Sequence, residues 1–238
     1  MTDAISLITA TGGRPEAFKL LEGYIAHQRY RGSIEWIVVD DCQPETPCTM
    51  GQQLIIPDRL WQQGQNTQAR NMQLALNAVT HDKILIIEDD EYYAPDYLTI
   101  MSSILDYVDM AGEGWALYYN VKLRRYHRHL NDKHACFART GFTTNIMMWI
   151  KKRLRQYELE QKFNRTDVRM WQDSGPIKKY IYLDAMPLSI GIKGMPGRAA
   201  INGQHDSVSV RYLSDMNLEY LTSIIGSDAE NYRGYLLK

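Results

Sequence analysis

Lys83-Ile84-Leu85-Ile86-Ile87-Glu88-Asp89-Asp90-Glu91 is the stretch that decides the fold. Four apolar residues in a row, three of them β-branched, read as a short strand buried on both faces, the pattern of a parallel sheet. Four carboxylates follow at once. In an open parallel sheet, ligands bind beyond the carboxyl ends of the strands, so the residues where a strand runs out are the first to inspect. Adjacent carboxylates repel one another unless a cation compensates them, and hard divalent ions such as Mg2+ or Mn2+ select oxygen ligands. A metal site around Glu88, Asp89 and Asp90 is one reading; a solvated acidic turn is the plainer alternative.

Working outward, short β-branched runs recur at Ile5 to Ile8, Ile34 to Val39 and Leu54 to Ile56. Helical spacing lies between them. Glu16 to Gln28 carries Phe18, Leu21 and Ile25 behind Pro15, and Thr67 to Val79 places Ala69, Met72, Leu76 and Val79 on one side. A third helix is predicted from Pro95 to Val108. This alternation predicts an α/β fold with a mainly parallel sheet flanked by helices. Further on, Trp115 to Val121, Tyr180 to Leu183 and Leu188 to Ile192 read as strands, Ile146 to Gln161 and Asp215 to Ile225 as helices, and Gly191 to Gly203 as a loop. The first strand ends in Thr9-Ala10-Thr11-Gly12-Gly13-Arg14 and the second in Asp40-Asp41, both polar and both expected along one crevice with Glu88 to Glu91.

Nothing in the chain marks a linker or a repeat, so one domain of 238 residues is expected, with residues 1–112 as its regular half and 113–238 as its more elaborated half. Its 27 basic residues nearly cancel its 28 acidic ones, so net charge neither requires nor excludes a polyanionic partner. Cys42, Cys48 and Cys136 fit no zinc or redox spacing and suit free thiols in a reducing compartment. With no signal-like N-terminus and no apolar run of about 20 residues, the expectation is a cytoplasmic protein without membrane insertion, in the host cytoplasm if viral.

Ile34-Glu35-Trp36-Ile37-Val38-Val39-Asp40-Asp41 resembles the second strand of family 2 glycosyltransferases, an apolar strand ending in Asp-Asp. Asn66 and Ala69-Arg70-Asn71 stand before the acidic strand, in that family's order. The resemblance covers about half the chain and implies a GT-A (Rossmann-like) fold. It also implies that Thr9, Asp40 and Asp41 contact base and ribose, that Arg70 helps hold the nucleotide and that Asp90 ligates the metal. Glu88 stands where Asp is usual. Thr11, Arg14, Glu88 and Asp89 join the nucleotide-sugar side. Met170-Trp171-Gln172-Asp173 is similar to the family's carboxylate motif near the acceptor, which implies Asp173 as the base of an inverting transfer. His205 resembles the histidine that completes the metal site in several GT-A enzymes. Independently, Asp40 can accept a uracil imide N–H. Lys193 and Arg198, on a glycine-rich loop, can clamp a diphosphate.

Lys122, Arg124, Arg125, Arg128, Lys133 and Arg139 are interleaved with Tyr126, His127, His129 and His134. Basic residues with aromatics suit a phosphate backbone and unstacked bases, and a solvated face has the same composition. A compact chain of this kind also looks like the bacteriophage enzymes that glycosylate hydroxymethylated pyrimidines in DNA. Arg124, Arg125, Arg128 and Lys133 are then the candidate acceptor contacts. The combined expectation is a metal-dependent hexosyl transfer from a nucleotide diphosphosugar, with UDP the nucleotide and Mn2+ or Mg2+ the cofactor, to a hydroxyl of modified DNA, a surface-glycan precursor or a small metabolite. A nucleotidyltransferase and a non-catalytic nucleotide-binding module remain as alternatives.

Overall fold

The computed structural model describes residues 3–160, 166–172, 177–198 and 211–236. Strands β1 (Ala4–Thr11), β2 (Ser33–Asp40), β3 (Gln53–Ile55) and β4 (Lys83–Ile86) lie side by side and parallel. They belong to a seven-stranded sheet of order β10-β6-β9-β4-β1-β2-β3, completed by β6 (Met110–Glu113), β9 (Thr140–Thr143) and β10 (Lys179–Tyr182). Only β9 runs against the rest. Register sets the crevice: Thr11 pairs with Asp40 and Ile8 with Ile86, so the residues after β1, β2 and β4 emerge at one edge.

Both sheet faces are covered, as continuous apolar strands require. On one side α2 (Gln68–Ala78), α4 (Met147–Glu160) and α5 (Thr166–Gln172) bury Met72, Leu76, Ile150, Leu154 and Trp171 against Ile8, Ile37 and Ile84. On the other, α1 (Pro15–Ala26) and α3 (Tyr97–Leu105) pack Phe18, Leu21, Leu98 and Met101 against Leu7, Val38 and Leu85. Pro15 opens α1 where its missing N–H costs nothing. The far side of α1, through Ala17 and Tyr24, meets a second sheet. That sheet has the order β12-β8-β7-β11-β5 and comprises β5 (Glu91–Tyr93), β7 (Trp115–Asn120), β8 (Arg125–Leu130), β11 (Ser189–Lys193) and β12 (Leu213–Ser214), with α6 (Glu219–Ile225) packed on it.

The first four strands and first three helices fall within a few residues of the sequence-based expectation. Strands β5, β6, β8, β9 and β12 were not expected. Met110–Glu113 is too short for periodicity to mark as a strand, and its glycine is a packing requirement: a Cβ on Gly112 would lie 2.5 Å from the Trp171 ring and 2.3 Å from Ala135 Cβ. Strand β8, Arg-Tyr-His-Arg-His-Leu, looks like a charged loop because it lies next to the edge of its sheet and turns polar side chains to solvent. Cys42, Cys48 and Cys136 are free thiols. Among the described residues no helix is long and apolar enough to cross a membrane.

Glu113 ties the two sheets, accepting the Leu188 N–H at 2.5 Å and the Ser189 hydroxyl at 2.5 Å. Burial pushes its pKa up to about 7, against the opposing pull of Arg139 and these hydrogen bonds. The folded state therefore holds this proton more tightly than the unfolded chain. The contribution is complete below the ordinary glutamate value and is lost as pH rises toward 7. Glu113→Gln keeps an acceptor for Leu188 and should abolish this dependence. Urea unfolding at pH 5 and pH 8 should show wild type losing about 2–3 kcal/mol more than the variant; equal losses would contradict this assignment.

Candidate functional site

At the crevice edge lies a cavity of about 200 Å3. It is lined by Ala10 and Arg14, by Glu88, Asp89 and Asp90, by Lys193 and Arg198, by Trp61 and residues 65–67 of the loop before α2, and by Gln68 and Asn71 of α2 itself. Strand ends and helix starts converge here because register places them together.

The acidic row is half-buried at Glu88, buried at Asp89, Asp90 and Glu91, and matched by cations from distant segments. Arg14 reaches Asp89 at 2.6 Å and Asp90 at 3.0 Å, Lys193 reaches Asp90 at 2.7 Å, and Arg139 holds Glu91 at 3.1 Å. Thr11 donates to Asp89 at 2.6 Å, and Gln68 donates to Glu88. Burial and then the Asp90 charge push the Glu88 pKa up to about 8, and burial likewise raises that of Asp89. Burial opposes the positive charges of Arg14 and Lys193, but the carboxylates around them outweigh it and hold both above their ordinary values. Oxygens of Glu88, Asp90 and Glu91 lie within 4.8 Å of one another. That set of hard donors, crowded and short of positive charge at Glu88, fits a divalent cation.

Asp41 is the second focus. It is fully buried and accepts from Arg198 at 2.7 Å, Asn71 at 2.8 Å, Arg70 at 3.3 Å and the Thr67 hydroxyl. Arg198 is delivered by a segment that crosses over the β1 turn, its N–H donating to Gly13 O at 3.1 Å. Gly197 has φ +108°, and a Cβ there would lie 2.2 Å from Gly13 O, so the crossing requires glycine.

Of the residues singled out in the sequence, Arg14, Glu88, Asp89, Asp90, Lys193 and Arg198 line the cavity, while Asp41, Thr11 and Arg70 bond directly to its walls. Three others have different surroundings. Thr9 faces the α1 side and accepts from the Trp36 indole at 3.0 Å. Asp40 folds its own loop, accepting the N–H groups of Cys42 at 2.9 Å and Thr46 at 2.6 Å. Arg124, expected on an acceptor surface, is buried at a left-handed φ of 49° and donates to the carbonyls of Tyr232 and Arg233. Arg139 is likewise wholly buried. Arg125, Arg128 and Lys133 are exposed, with Arg128 over the Trp115 ring at 4.6 Å. Asp173 and His205 lie outside the described residues. Trp61 and Gln68 escaped the sequence reading; the available signal was a tryptophan in a polar loop, where nothing apolar is needed for a core.

No protein-family model matches the chain, and no curated protein matches it in sequence. Solved structures match it in fold. S. aureus TarS, in its 1–349 form in complex with UDP-GlcNAc, superimposes with TM-score 0.54 at 13% identity, over 87% of this chain and 62% of that one. A longer TarS structure gives 0.53 at 11% identity, over 80% of this chain and 37% of that one. Mannosyltransferase PcManGT from Pyrobaculum calidifontis, in complex with GDP-Man and Mn2+, gives 0.50 at 14% identity, over 81% and 57%. The chain thus spans less than two thirds of each of these proteins. The fold is that of GT-A glycosyltransferases: a mostly parallel central sheet flanked by helices.

Asp41→Ala would leave Arg198 and Arg70 facing a buried void without their counter-charge. A loss of about 3–5 kcal/mol in unfolding free energy by denaturant titration is expected; a change below about 1 kcal/mol would contradict the placement of Asp41 as the anchor of these cations.

Proposed function

We propose that this chain is a metal-dependent glycosyltransferase that moves a sugar, in an inverting reaction, from a nucleoside diphosphosugar to a hydroxyl acceptor. One observation carries the proposal: at the carboxyl edge of a GT-A sheet, a buried row of carboxylates shares a cavity with Arg14, Lys193 and Arg198. Cations beside acidic oxygens are what a metal-chelated diphosphate needs, since the phosphates take the guanidinium and ammonium groups while the carboxylates take the ion. The bound UDP-GlcNAc and GDP-Man of the matched structures belong to those proteins and agree with this chemistry.

Glu88, Asp90 and Glu91, joined by His205, would hold the divalent ion, whose chemistry is to neutralise charge on the departing diphosphate. Arg14 and Lys193 already stand at Asp90 and would turn to the phosphates. Asp41 and Arg70 orient the nucleoside end, and Asp173, immediately after α5, would accept the acceptor hydroxyl's proton as the anomeric C–O bond forms. UDP is the proposed nucleotide.

For the acceptor, we propose modified DNA as the first substrate to test. Lys193 pairs with Asn120, and Asn120 with Arg125, so the exposed basic strand carrying Arg125 and Arg128 begins two strands from the cavity's Lys193. Lys133 extends this cationic face.

The test is release of nucleoside diphosphate from a panel of UDP- and GDP-sugars with Mn2+, with and without hydroxymethylcytosine DNA. Asp90→Asn is expected to reduce release by roughly 10²–10³-fold or more. Stimulation by that DNA supports the acceptor assignment, and turnover indifferent to it removes DNA while leaving the transferase. Absence of release and of nucleotide binding in wild type would overturn the function.

A further inference from the structure

We propose that the indole of Trp61 is the stacking face for the donor's nucleobase, and that Arg198 covers this face until the nucleotide arrives and then turns to its phosphates. The inference deepens the proposed function and rests on it.

Trp61 belongs to the loop between β3 and α2, where no core demands an aromatic side chain. It is nevertheless fixed at both ends: its backbone N–H donates to Asp41 O at 2.8 Å, and its Nε1 donates to Gln65 O at 3.0 Å. Trp61 is one of the residues that line the cavity. A flat π-face held in place beside a polar cavity binds flat partners, because stacking needs no particular hydrogen-bond pattern. One such partner is already there: the planar guanidinium of Arg198 lies 5.0 Å from the ring centroid while its NH1 pairs with Asp41 at 2.7 Å.

Space points to exchange rather than addition. The cavity, at about 200 Å3, is smaller than the roughly 300–1,000 Å3 of sites for ligands of this size. Some wall group must therefore withdraw. Arg198 is the most exposed of the cations around the site, its side chain 21% accessible against 14% for Arg14, 15% for Arg70 and 12% for Lys193. Its backbone N–H is anchored on Gly13 O, so the guanidinium can swing while its root stays in place.

The experiment is calorimetric titration of the intact protein, with Mn2+ present, using UDP, GDP and inorganic pyrophosphate on wild type, Trp61→Ala, Trp61→Phe and Arg198→Ala. For whichever nucleotide wild type binds, Trp61→Ala should weaken affinity roughly 10- to 100-fold, leave pyrophosphate within about two-fold, and Trp61→Phe should retain most nucleotide affinity. Equal nucleotide affinity in Trp61→Ala, or an equal loss for pyrophosphate, overturns the stacking role while leaving the proposed function standing. Should neither nucleotide bind wild type, the function fails and this inference with it. Should Trp61→Ala not fold, fluorescence decides: the nucleotide should quench tryptophan emission in wild type and not in Trp61→Phe, and an undiminished quench in that variant overturns the proposal. Uridine, which has no phosphate, should bind Arg198→Ala more tightly than wild type because the face is uncovered. Unchanged or weaker uridine binding overturns the covering role of Arg198.

Discussion

Burying negative charge at the ends of β2 and β4, the two strands that flank β1, is the constraint to which the rest of the molecule answers. Asp41, Asp89, Asp90 and Glu91 are nearly inaccessible, and an uncompensated carboxylate in such a place would cost several kcal/mol. Among the described residues, none close by in the chain supplies the compensation. It comes from the β1 turn through Arg14, from the start of β9 through Arg139, and from the end of β11 and the crossing beyond it through Lys193 and Arg198. Each pair is therefore a long-range tie as well as a local neutralisation, and together they lock four segments around one cavity.

This arrangement explains the two-sheet architecture. Glu91 begins a strand of the second sheet, while Arg139 precedes a strand of the first and also donates to the carbonyls of Leu117 at 2.8 Å and of Trp115. Helix α1 fills the angle between the sheets with a different apolar side toward each. Charge is buried at Glu91 and Arg139, whereas Arg14, Lys193 and Arg198, which line the cavity, remain partly accessible.

The parallel half of the fold was legible because its strands are apolar on both faces and its helices carry one apolar stripe, so periodicity separates them. The acidic row was legible for the same reason, as a charged ending to an apolar run. What periodicity could not show was partnership. Arg124 and Arg139 look like members of a basic surface when counted along the chain, and only the fold turns them inward, one to the Tyr232 and Arg233 carbonyls and the other to Glu91. Asp40 resembles a nucleotide contact by motif, and only the fold shows that its oxygens also accept the N–H groups of Cys42 and Thr46. Trp61 was invisible for the opposite reason: an aromatic in a polar loop has no periodic context, and its meaning appears only when the cavity is drawn.

In the proposed function, metal and diphosphate together replace the balance that cations of the chain give this carboxylate row in the free protein. Mn2+ titration followed by electron paramagnetic resonance, with and without UDP, tests it most directly, since two ligands that share one site must strengthen each other's binding by the same factor. Weak Mn2+ binding alone, tightened at least roughly ten-fold by UDP and matched by an equal Mn2+-dependent gain in UDP affinity, is the expected result. Mn2+ affinity that UDP does not change would contradict the account.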